Sequence, residues 1–378
     1  MMEKNELLVI YGGDPASMAY RIAEDAGLAE LVGGRKKRIG LKPNLVVSRP
    51  ASEGATTHPE IAAGLIEYLR RFGFDNLVIL EGSWVGDRTA DAFSVCGYRK
   101  LAKETGVELV DTQKDRSRPF DCRGMRIEIC DSARAVDFMI NLPVMKGHCQ
   151  TLLTCALKNN KGIIPDFEKR RFHSLGLHKP IAHLNTVARN DFILVDGICG
   201  DPDFEEGGNP VPQGRLFAAR DPVLCDAWAA LQMGLAVSAV PYIGLAEKLG
   251  VGTADPDKAV VRELNRPDDA AASTGGAAGR SHASSPAGGG MVRKLAGYVH
   301  EAGACSACYA SLIFALSRLS AGELGRIKEK IAVGQAFKGK RGNTGVGACA
   351  SSFAACCPGC PPSGAAVLEF LRNTVLRN

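Results

Sequence analysis

A chain of 378 residues, 46% hydrophobic and 23% charged, is long enough for two domains or one elaborated domain with an ample core. A formal net charge of +5, without basic runs interleaved with aromatics, admits an anionic substrate and argues against a nucleic-acid binder. No stretch reaches the ~18 uninterrupted apolar residues of a membrane span, which argues against a membrane protein.

The opening MMEKNELLVIYGG lacks a basic start, a long apolar run and a small-residue cleavage site, so it reads as a first strand. Thirteen cysteines in an unexported chain fit metal ligands and buried thiols better than a disulfide framework. The expected compartment is a reducing cytoplasm, that of an anaerobe included.

Taken in order, short apolar runs alternate with helical patterns through the first 265 residues. LLVIYG (7–12) leads to a helix over Ser17–Ala26, and RIGLKPNLV (38–46) to a helical segment His58–Arg71. NLVILEG (76–82), VELVDT (107–112), RIEIC (126–130) and VDFMINLP (136–143) are strand candidates. FILVDG (192–197) and RLFAA (215–219) follow, then a helix over Val223–Met233. Such alternation predicts an α/β fold, a largely parallel sheet with helices on both faces, over residues 1–265. Residues 266–290, nearly all small and polar and rich in Gly, Ala and Ser, read as a flexible loop or linker. A cysteine-rich module over 291–378 is expected to pack on the first domain, with IAVGQAF (331–337) as a strand and a last helix capped by Ser363.

Polar residues just past a strand's carboxyl end are the ones a parallel sheet offers to a ligand. Lys42 and Asn44 in LKPN, Thr56, Thr57 and His58 in TTHPE, and Glu81 and Ser83 in LEGS hold such positions. The densest cluster, PVMKGHCQTLLTCALKNNKGIIPDFEKRRFH, supplies Lys146, His148, Thr151, Lys158, Asn159, Lys161 and His173. Lysines, an imidazole and amides in a Gly-rich setting suit a phosphate or carboxylate. Lys158 and Lys161 also fit solvated surface charges, and the TTHPE hydroxyls fit helix caps. Asp196 ends the FILVD run, and Asp221 and Asp226 start a helix in RDPVLCDAW. GxGxxG after the first strand, GxxxxGK[ST], GxSxG and HExxH are all missing, which demotes dinucleotide and P-loop readings.

In this order, LKPN, TTHPE, LEGS, NLPVMKGHCQTLLTCALKNNKG, KRRFH, VDGICGD and AARDPVLCDAW resemble the DUF362 family, a domain of unknown function, over roughly 38–252. The resemblance implies an α/β domain frequently associated with iron–sulfur clusters and no settled reaction. One departure is the lack of a ferredoxin-type C-x2-C-x2-C-x3-C-P run.

The cysteine module therefore rests on its own spacing. Cys305 and Cys308 form one C-x2-C, and partners come from Cys349, Cys356, Cys357 and Cys360. Taking Cys357 with Cys360 gives two matching pairs, as in structural zinc sites, across a longer insertion than the usual ~15–20 residues. Taking Cys349 with Cys360 uses the glycines of GNTGVGACA and the cysteine before Pro361. CSACY…GQAFKGK…GVGAC…GCPPS also resembles the C-terminal region of some DUF362 proteins, which implies a 4Fe–4S module. The expected ligands are Cys305, Cys308, Cys349 and Cys360, with Cys357 in reserve and zinc as the alternative metal. Cys96, Cys122, Cys130, Cys149, Cys155, Cys199 and Cys225 read as small buried side chains.

The leading expectation is an iron–sulfur protein of redox type, passing electrons to or from a site that binds an anionic small-molecule substrate or cofactor. Lys146 and Lys158 would neutralise charge, His148 would act as acid or base, and Asp196 would be its partner or a metal ligand. Lys42, Asn44, His58, Asn159 and Lys161 would bind the cofactor. Two other readings stay open: a non-redox metal-dependent enzyme with a structural four-cysteine zinc site, and an electron-transfer or scaffold protein without catalysis.

Overall fold

The structure, a computed structural model, describes residues 1–265 and 290–376. The Gly/Ala/Ser-rich stretch 266–290 lies, up to residue 289, outside the described residues.

The main sheet has eight strands: β1 (Glu6–Tyr11), β2 (Ile39–Pro43), β3 (Leu77–Glu81), β4 (Glu108–Asp111), β7 (Phe138–Leu142), β10 (Phe192–Gly200), β11 (Val211–Ala219) and β12 (Val260–Glu263). Their order is β12-β1-β11-β10-β7-β2-β3-β4. All pairings are parallel except those of β11, which runs antiparallel between β1 and β10. Two hairpins, β5 (Ser117–Asp121) with β6 (Arg126–Cys130) and β8 (Lys146–His148) with β9 (Leu152–Thr154), stand outside this sheet.

Side chains alternate faces along a strand, and here both faces are apolar. Leu7 and Val9 of β1, Val78 and Leu80 of β3, and Ile193 and Val195 of β10 enter one core with Phe172, Ile181, Val223 and Tyr242 from helices. Leu8, Ile10, Ile79, Phe192 and Leu194 enter the other with Met18, Ile22, Ile61 and Leu65. Helices Pro15–Asp25 and Pro59–Arg71 cover this second face. Asp14 starts the first by accepting from the amides of Ala16 and Ser17, with Pro15 fixing the first turn. Gly64 lets the two helices touch, since a Cβ there would stand 2.1 Å from the Ala16 carbonyl oxygen.

A second sheet comprises four strands of three residues, β13 (Val299–Glu301), β14 (Ile331–Val333), β15 (Thr344–Val346) and β16 (Ala355–Cys357), all parallel and in sequence order. The links after β14 and β15 contain only the tight turns Gln335–Phe337 and Ala348–Ala350, so β14, β15 and β16 stack as rungs, and helices intervene only between β13 and β14. Helix Ser306–Ser317 and helix Gly364–Phe370 pack on them through Leu312, Ile313, Leu316, Val346, Cys357 and Val367. Ser363 caps the last helix by accepting from the Ala366 amide, as its position after the proline pair predicts. Among the described residues, no helix is long and apolar enough to cross a membrane.

Candidate functional site

The carboxyl ends of β2 and β3 deliver a buried ion pair, Lys42 with Glu81. Burial pushes Glu81 up and Lys42 down, against their mutual attraction. Beside them lies the turn 156–163, which carries Lys158, Asn159 and Lys161. A ladder of amides holds that turn. Asn159 donates to the Lys42 carbonyl (3.3 Å) and to Asn141 Oδ1 (2.7 Å), while Asn141 donates to the Ala156 carbonyl and Asn190. Asn160 donates to Asn185 and Asn190, and Asn185 returns a bond to the Leu157 carbonyl. Buried amides linked in this way rigidify the backbone they grip, although Asn160 Oδ1 is left without a partner.

Glu205 knits the lysines together. Its carboxylate pairs with Lys158 and, at 3.0 Å, with His148 Nε2, while its carbonyl accepts from Lys146 at 2.8 Å. Lys146 also donates to Asn44 Oδ1 (3.2 Å) and the Ala55 carbonyl. Burial raises the Glu205 carboxyl, yet Lys158, His148 and Lys146 together outweigh it and hold the group well below the usual range. His148 Nδ1 accepts the amides of Gln150 and Thr151, so its proton sits on Nε2, facing Glu205. Burial and the neighbouring Lys158 depress His148 to about 3 and keep it neutral. Lys146 is brought down to about 8, mainly by burial.

A cavity of about 60 Å³ opens in front of this network. Lys158, Lys161, Lys169, Trp84 and His173 line it together with Asn44, Asn159, Glu81 and Glu205. Lys161 Nζ lies 3.3 Å from His173 Nε2, and burial with Lys161 nearby holds that imidazole well below its usual range and neutral. Nδ1 of His173 and the indole Nε1 of Trp84 are buried without hydrogen-bond partners. Three lysines against two glutamates give the cavity a lining suited to an anion's oxygens. Burial, then repulsion from Lys158, lowers Lys161 to about 7.

The far wall of the cavity is Cys305, Ser306 and Ala307. Cys305 occupies the cap position of helix Ser306–Ser317 and Cys308 its first turn, Cys349 sits in the turn after β15, and Cys360 follows β16. These four thiols act on one another: Cys305 is raised by burial, then by Cys349 and Cys360, and Cys308 reaches about 12 through burial, then Cys305, Cys360 and Cys349. Cys356 and Cys357 stand apart. The Cys356 thiol points to the Gly347 carbonyl at 3.5 Å, and Cys357 is packed in the apolar core beneath the small sheet. Gly347, at φ 91°, gives Cys308 room, since a Cβ would come within 3.4 Å of its sulfur.

The cysteine loop is bound to the lysine network through the β8–β9 hairpin. Ser306 Oγ lies 3.1 Å from His148 Nε2 and donates to Gln150 Oε1 at 3.0 Å, and Gln150 donates to the Ala304 carbonyl. Of the residues expected to act, Asn44, Lys158, Asn159 and Lys161 line the cavity, while Lys42, Lys146 and His148 stand behind it. Asp196 is elsewhere: its carboxylate takes His58 Nδ1 at 2.7 Å and the His58 amide at 2.9 Å, and Glu205 holds the place expected for it beside His148. Sequence reasoning passed over Glu205, Trp84, Lys169 and Ser306. Glu205, in the Gly-rich DFEEGG that follows a strand end, carried a readable signal.

A family model described as a domain of unknown function (DUF362) matches residues 39–231. Thylakoid-associated protein sll1697 of Synechocystis sp. is 24% identical over 226 residues, 57% of this chain and 68% of that protein. The lactate racemase apoprotein of Thermoanaerobacterium thermosaccharolyticum superposes with a TM-score of 0.41 at 15% identity. That superposition spans 62% of this chain and 57% of the racemase chain.

Proposed function

The chain belongs to the DUF362 family, and from that premise we propose an iron–sulfur protein whose cysteine quartet serves an anion-binding cavity. The observation that carries this reading is the shared wall: Cys305–Ala307 closes the same cavity that Lys158, Lys161, Lys169 and Trp84 line.

The donor set fits such a group. Four half-buried or exposed thiols from three chain segments turn toward one another, while the chain's other cysteines, Cys356 apart, are buried. Cys305, Cys308, Cys349 and Cys360 would hold a 4Fe–4S cluster, which when bound supplies one-electron transfer.

The protein's own residues do the rest. Lys158, Lys161 and Lys169 neutralise a carboxylate or phosphate of a small substrate held in the cavity they line. Lys161 Nζ is the group at the cavity able to gain or lose a proton near neutrality. His148 and Glu205 hold the lysine turn against the cysteine loop, a positioning role in place of acid–base chemistry at a group so deeply enclosed. An electron-transfer partner would then approach at Cys360, the exposed member of the quartet.

Anaerobic purification with iron, sulfide and zinc quantitation tests the reading, together with calorimetric titration by inorganic phosphate. Iron and sulfide in near-equal amounts, broad visible absorption and phosphate binding lost in Lys161→Ala are expected. A colourless protein with one zinc per chain overturns the cluster and favours the non-redox enzyme.

A further inference from the structure

A second cavity, of about 160 Å³, lies where the β5–β6 hairpin, β7 and the segment after helix His178–Leu184 meet. Ile129 of β6, Met139 of β7 and Ile163, at the end of the lysine turn, form its floor, each at most 4% exposed. Phe120 of β5 supplies an aromatic wall. At the mouth stand Arg134 and Arg189, whose side chains are 40% and 51% exposed. This lining shares no residue with that of the lysine cavity, although Gly162 borders the one and Ile163, the next residue, the other.

Volume and charge together define what fits. An apolar cavity of about 150 Å³ is large enough to take up benzene. Here seven of the nine lining residues are apolar and the other two are the arginines, so the lining carries two positive charges and no carboxylate. Both guanidinium groups keep donors to spare. Their ion pairs, Arg134 with Asp131 and Arg189 with Asp191, are each 3.7 Å long, beyond hydrogen-bond length. Asp131 is held more closely by Arg118, at 3.1 Å, and Asp191 accepts the Met139 amide at 2.8 Å. Arg189 donates to the Asp137 carbonyl at 3.2 Å, which uses part of the donor fork a guanidinium offers. Arg134 lies 4.2 Å over the Phe120 ring, which fixes its charge beside the aromatic wall. An apolar floor, an aromatic wall and a cationic rim are the parts of a site for a flat apolar acid.

We propose that this cavity binds a small aromatic monocarboxylate, its ring on Ile129, Met139 and Ile163 and its carboxylate on Arg134 and Arg189. The site binds without chemistry, since no nucleophile and no acid or base lines it.

The test is calorimetric titration of the full chain, purified anaerobically, with sodium benzoate. Saturable binding at one site per chain is expected, and it should persist in Lys161→Ala, which separates it from the lysine cavity. Acetate has the charge without the ring and benzylamine the ring with the opposite charge, so each should bind about tenfold more weakly or worse. Arg134→Ala combined with Arg189→Ala should weaken benzoate about tenfold or more and leave phosphate binding unchanged. Should that variant not fold, nuclear Overhauser contacts in the unaltered protein decide: the benzoate ring protons must reach the Met139 methyl group. Benzoate that does not saturate, that is lost in Lys161→Ala, that binds the folded double variant equally well, or that makes no contact with the Met139 methyl overturns the proposal.

Discussion

The two sheets of this protein are stabilised by different means. The eight-stranded sheet has strands of four to nine residues, with two apolar cores on its faces. The small sheet has four strands of three residues and a thinner core, and its turns present thiols. Burying one large apolar side chain is worth about 1.5–3 kcal/mol, so the first region can hold its shape by burial alone. The second has less apolar surface to bury, and on the proposed reading its order depends on what its cysteines bind. The lesson is that one chain can be thermodynamically two proteins, one stabilised by burial and one by ligation.

The largest effect expected is in the small sheet. If the cysteines hold the proposed cluster, removing it with a chelator, or by Cys305→Ser, should forfeit much of a ligation free energy of order 10 kcal/mol. Hydrogen exchange should then accelerate in 299–301, 331–333 and 344–357 while β2, β3 and β7 keep their protection. Equal exchange in both regions would erase the contrast between them.

Next in size, Lys158→Ala leaves the enclosed Glu205 carboxylate short of its cation and should cost about 3–5 kcal/mol in urea unfolding of the larger region. Iron content should stay unchanged in that variant. A joint loss of iron and stability would show that the lysine network also governs the cysteine region.

A third test concerns pH. Burial raises the Asp226 carboxyl from 3.8 to about 7, although its oxygens accept the amides of Ala156 and Leu157. A carboxyl with a raised folded pKa binds its proton more tightly in the folded state. Its contribution is therefore full below about pH 4 and is lost as pH rises through about 7. The unfolding free energy from urea titration should fall over this window by roughly 2–4 kcal/mol in the larger region. Asp226→Asn should flatten that slope, and an unaltered slope would assign it to other groups.

The smallest effect separates Cys357 from the quartet. Cys357→Ala trims one core side chain, costing about 1 kcal/mol, and should keep the full iron content. Loss of iron would instead place Cys357 among the ligands.

Much of the larger sheet was legible because its strands are continuous Val, Ile and Leu runs bounded by turns. Strand β11 was legible as a strand only from Arg215, and its antiparallel direction was not, since direction is set by pairing across the sheet. The rungs β13, β15 and β16 were missed because three residues show no period. Within the site, the density of polar residues after β7 pointed to the lysine turn. The amide ladder and the place of Glu205 were hidden, since they join positions far apart in sequence. The turns that carry the four cysteines were readable because glycine and proline mark them. The partner of Asp196 was not, as His58 lies 138 positions away.

Trp84 gives the molecule a built-in optical gauge. The chain has two tryptophans, and Trp228 stacks edge-on against Phe217 at 4.8 Å in the larger region. Trp84 instead lines the cavity, and its indole nitrogen and the ring of Pro361, next to Cys360, both crowd Gly86. An iron-bearing group there would drain Trp84 emission by energy transfer and leave Trp228 nearer to its full brightness. The ratio of the two emissions then reports occupancy at the cysteines in intact protein, without added dye.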